Sequence, residues 1–91
     1  MILQLVFDAS ISYVYIPNGF IVDLKLLERD FLEWVQSQPN CIKKVSNRYI
    51  GFSFSEVDFL KYLNTTIFDS CNEKAYMLRQ PPQKVFGVLK F

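Results

Sequence analysis

Residues 41–67 read CIKKVSNRYIGFSFSEVDFLKYLNTTI, and this stretch decides the fold class. Its first half, Cys41 to Val45 and Arg48 to Phe54, is rich in β-formers and breaks at Ser46-Asn47, the pattern of a short hairpin. Its second half changes period. Ser55 is a good N-cap, and Asp58 three residues on completes a capping-box variant. Val57, Leu60, Leu63 and Ile67 then recur at helical spacing. The reading is a hairpin running straight into a helix over residues 55–68.

On the N-terminal side, Leu24, Leu27, Phe31, Trp34 and Val35 fall on one stripe of a helix spanning about residues 23–38. Asp23 is its N-cap, Val22 and Leu27 suit a hydrophobic staple, and Pro39 cannot continue it. Pro17-Asn18-Gly19 is a turn. Ile2–Phe7 and Ile11–Ile16 are strand-like; Asp8-Ala9-Ser10 between them is either a hairpin turn or a bulge in one long strand. On the C-terminal side, Asp69-Ser70-Cys71-Asn72 is loop. Ala75–Arg79 and Lys84–Lys90 are strand-like and flank the turn Gln80-Pro81-Pro82-Gln83.

The order strand, helix, hairpin, helix, strand defines a single α+β domain over residues 1–91. Its core β-α-β-β-α-β is ferredoxin-like (split βαβ), with extra strands at the N- and C-terminal ends. Two helices are expected on one face of an antiparallel-rich sheet, leaving the other face available. Leu27, Phe31, Trp34, Leu60, Leu63 and Ile67 are the expected core. With 51% hydrophobic residues, nine Phe and five Tyr, the chain has the material for one.

The chemistry that is missing narrows the function. The chain has no histidine, which removes the commonest general base and metal ligand. Cys41 and Cys71 stand far apart, form no CxxC and are expected to be reduced. Three glycines cannot build a phosphate loop. Glu28 with Asp30, and Glu56 with Asp58, are two residues apart and point to different sides of a helix. No enzymatic activity, metal or cofactor is expected. Met1 to Phe7 is apolar but lacks a basic leader, and no apolar run reaches the ~20 residues that cross a bilayer. The expectation is a cytoplasmic protein without membrane contact. Asn64-Thr65-Thr66 matches a glycosylation sequon but lies in the second predicted helix, so it carries little weight.

Charge is unevenly placed although the net charge is +1. Both predicted helices are acidic, whereas the hairpin (Lys43, Lys44, Arg48) and the C-terminal segment (Lys74, Arg79, Lys84, Lys90) are basic. Leu26, Phe59 and Tyr62 fall off the apolar helix stripes and are the candidate contacts for a protein partner. Phe59 is also placed to staple against Phe54. The alternative ligand is single-stranded nucleic acid on the 41–54 hairpin, through Lys43, Lys44, Arg48 and Tyr49. Residues 48–55 match the RNP1 strand of RNA-recognition motifs at Arg48, Gly51 and Phe52 alone, too few to assign the family. The alternation there puts Ile50, Phe52 and Phe54 on the side expected to face the helices. The leading expectation is a non-enzymatic protein-binding domain: an inhibitor, an immunity-type protein or an adaptor that occludes a larger partner. A homodimer is its near variant.

Overall fold

The computed structural model describes residues 1–17, 23–44, 46–47 and 50–91. Strands β1 (Ile2–Phe7) and β2 (Ser10–Tyr15) pair antiparallel, with Phe7 opposite Ser10 across Asp8-Ala9. Asp8 takes φ 52, a left-handed conformation that aspartate tolerates better than most side chains. The break at Asp8 is therefore a turn between two strands.

Helix α1 (Leu24–Gln36) starts where expected, with the Leu26 N–H donating to Asp23 Oδ1 at 3.1 Å. Pro39 then opens a 3₁₀ turn, Pro39–Cys41. Strands β3 (Ile42–Lys44) and β4 (Ile50–Phe52) form the hairpin. Helix α2 (Glu56–Tyr62) begins with the Ser55 N–H donating to Asp58 Oδ2 at 2.9 Å. It runs into a π-helical turn, Leu63–Ile67, closed by the Phe68 N–H on the Leu63 carbonyl at 2.8 Å. Two short strands complete the chain, β5 (Tyr76–Met77) and β6 (Gly87–Lys90). The expected turn at Asn18-Gly19 and the staple at Val22 lie outside the described residues.

The architecture is α+β: two helices, a mixed four-stranded sheet ordered β5-β2-β1-β6, and a separate two-stranded sheet β3-β4. β1 pairs antiparallel with β2 and parallel with β6, and β2 pairs antiparallel with β5. The expected split βαβ arrangement differs at the hairpin, which among the described residues forms a separate two-stranded sheet.

Alternation along β1 turns Leu3, Leu5 and Phe7 inward, where they meet Val14, Ile16 and Leu89 and the buried Leu27, Phe31 and Val35 of α1. The core contribution of α2 is rotated from the expected stripe. Phe59 and Tyr62 are buried beside Leu63, whereas Val57 is 68% exposed and Leu60 only half-buried. Large rings bury more area than Val57 can, so they win the inward face. The π turn then delays the helical phase by one residue, burying Phe68 and leaving Ile67 half-exposed. Trp34, expected in the core, is half-buried on its margin against Phe31 and Tyr62.

Candidate functional site

Phe59 is fully buried and Tyr62 nearly so, which removes both from any contact surface. Phe59 packs edge-on against Phe31 at 5.0 Å between ring centres, and Tyr62 lies against Phe31 and Trp34. Burial pushes the Tyr62 phenol up, helped by the negative charges of Asp30 and Glu33. Of the three expected protein contacts, Leu26 alone is exposed, at 43%.

The hairpin is also turned about from expectation. Ile42 and Phe52 are register partners, and Ile50 lies on the same side as Phe52; all three are exposed. The row expected to face the helices thus faces outward, and only Phe54, beyond β4, reaches the core, edge-on to Phe31 and Phe7. The hairpin is anchored at its base, where the Ser53 N–H donates to the carbonyl of the buried Cys41. Burial raises the Cys41 thiol pKa, and the Asp58 carboxylate raises it further. Lys43 is exposed opposite Gly51, and Lys44 pairs with Ile50 in β3. Arg48 and Tyr49 lie outside the described residues.

The surface that sequence reasoning did not assemble is the open face of the four-stranded sheet. Side chains alternate along each strand, so the residues between the inward-facing ones share this face. Across the strands, Tyr76, Tyr15 and Ile2 form one row; Tyr13, Gln4 and Val88 a second; Ile11, Val6 and Lys90 a third. Ile11, Tyr76 and Val88 are exposed and the other apolar members half-buried. Lys90 is the one charged residue in these rows. Tyr15 and Tyr76 stack at 4.9 Å, and the Tyr15 hydroxyl donates to Glu73 at 3.0 Å, which fixes that corner of the face.

Ile11 and Tyr13 continue round the β2 edge into a shallow cleft of about 300 Å³, where Glu56 and Arg79 supply opposite charges. An apolar, tyrosine-bearing centre with charges at its margin has the anatomy of a protein interface. The sequence carried a signal for it: Tyr13 and Tyr15 alternate with Val14 and Ile16. Among the described residues, no helix is long and apolar enough to cross a membrane. No protein-family model matches the chain, and neither the curated proteins nor the solved structures hold a significant match.

Proposed function

We propose that this is a small non-enzymatic protein-binding domain that docks a larger partner on the open face of its sheet. It acts as an inhibitor, immunity-type protein or adaptor by covering part of that partner. The observation that carries this reading is the three-row face itself, in which aliphatic and tyrosine side chains lie around Gln4, with Lys90 at a corner on the edge strand. Tyrosines give large contact area for little lost side-chain freedom, and contiguous apolar surface of this kind marks interaction sites. The proposed setting is cytoplasmic, in keeping with the free thiols of Cys41 and Cys71.

The test is affinity capture from the native host with wild type, Tyr13→Ala and Val6→Asp, each first shown to be folded by circular dichroism. The open-face variants should weaken the captured complex by about 2 kcal/mol or more, whereas Lys43→Ala should not. Equal capture by all variants would refute the face as the docking surface. If the partner is a second copy, wild type sediments as a dimer and Val6→Asp as a monomer.

A second reading rests on Tyr13, Tyr15 and Tyr76 sharing one face, since bases stack on such rings. It calls for single-stranded RNA or DNA binding that collapses between ~50 and ~200 mM salt as counterions are released. Salt-sensitive binding lost in Tyr13→Ala would favour it, and binding lost only in Lys43→Ala with Lys44→Ala would move it to the hairpin.

A further inference from the structure

We infer that Asn64 is a latch for β5 and is closed to glycosylation, although Asn64-Thr65-Thr66 is a sequon. The carboxamide is used twice. Its Nδ2 donates to the Ala75 carbonyl and its Oδ1 accepts the Ala75 N–H, each at 2.9 Å. Ala75 is buried and stands immediately before β5. The two bonds do for this backbone residue what a neighbouring strand would do.

The chemistry of amides makes the latch and a glycan exclude each other. A substituent on an amide nitrogen lies trans to the carbon across the C–N bond, because the cis form costs about 2.5–4 kcal/mol. On an asparagine this places the sugar on the same side as Oδ1. That is the edge of the Asn64 carboxamide that meets Ala75. A glycosylated Asn64 therefore cannot make the paired contact, and β5 loses its anchor.

The neighbouring side chains have separate roles. The Thr65 hydroxyl donates to the Lys61 carbonyl at 2.7 Å, within the helix. Thr66, which completes the sequon, is exposed. The Lys74 ammonium donates to the carbonyls of Phe68 and Asp69, so the segment leading to β5 is tied down at a second point.

The experiment is secretion of the full chain behind a leader peptide in a eukaryotic host. Site occupancy is read by intact mass, and folding by hydrogen exchange at the Ala75 amide. The folded, secreted fraction should be free of glycan at Asn64, and any glycosylated chains should be retained or lack protection at Ala75. Thr66→Ala, which removes the sequon and leaves the latch, should match or exceed the wild-type yield with an unchanged melting temperature. Asn64→Leu, which removes both the donor and the acceptor at similar size, should lose Ala75 protection without any glycan. A secreted form glycosylated at Asn64, with wild-type melting and wild-type protection at Ala75, would overturn the inference, as would Asn64→Leu with full protection.

Discussion

The δ1 methyl of Leu24 occupies the place where a Cβ on residue 87 would stand. Helix α1 thus rests its first side chain on β6, in the space the glycine leaves open. Gly87→Ala forces only the end of the Leu24 side chain to move and should cost no more than about 1 kcal/mol, read from urea denaturation. In the double variant with Leu24→Ala, most of the added loss should disappear. Strict additivity of the two changes would show that the contact does not set the helix position.

Phe31 is the hub of the aromatic core. It is fully buried and touches the rings of Trp34, Phe54, Phe59, Tyr62 and Phe91. Phe31→Ala should cost about 3–5 kcal/mol. Trp34→Ala should cost distinctly less, because the indole keeps part of its surface in water. Equal losses in thermal or denaturant unfolding would place Trp34 in the core after all.

Stability should fall in alkali, and the direction follows from Tyr62. Its pKa is raised by burial and by Asp30 and Glu33, so the native state holds its proton at a pH where the unfolded chain has released it. Above the ordinary tyrosine value of 10.0, the unfolded state binds fewer protons, and stability declines as pH rises. The Cys41 thiol, raised from 9.0, adds a loss of the same sign that begins lower. Below both values neither group contributes any slope. Denaturant midpoints between pH 8 and 11 should therefore fall, and Tyr62→Phe should flatten the upper part of the curve. An unchanged slope in that variant would assign the effect elsewhere.

The outward row of the hairpin gives a fourth outcome. Ile50→Thr should change stability by no more than about 0.5 kcal/mol, since the side chain is 68% exposed. Phe54→Ala, two strand positions beyond Phe52, should cost several-fold more because its ring packs on Phe31 and Phe7. Comparable losses from both would restore the inward-facing hairpin that alternation alone suggests.

The features legible in the sequence were those that local chemistry decides. Asp23 and Ser55 start helices because their side chains and neighbours supply the first-turn bonds, and Pro39 ends one for want of a donor. Inward and outward faces were harder, because they depend on distant partners. In β1 both sides are largely apolar, with Leu3, Leu5 and Phe7 on one and Ile2 and Val6 on the other. Only the register with β2 and β6 decides which side is covered. In α2 two apolar stripes compete at the same spacing, and the heavier Phe59 and Tyr62 prevail over Val57 and Leu60. The tyrosine cluster of the open face has a related origin: Tyr76 joins Tyr13 and Tyr15 only through pairing across a long stretch of chain.

The parallel pairing of β1 with β6 also has a consequence for synthesis on the ribosome. Leu3 and Gly87 are neighbours in the sheet, yet 84 positions of chain separate them. At about 5–20 residues per second, β1 waits on the order of ten seconds for β6, with the edge that will receive it open. Contacts of such high sequence separation slow folding, because the loop must close before they repay it. The nascent ribbon, apolar on both sides, is then a segment exposed to aggregation until its partner strand arrives.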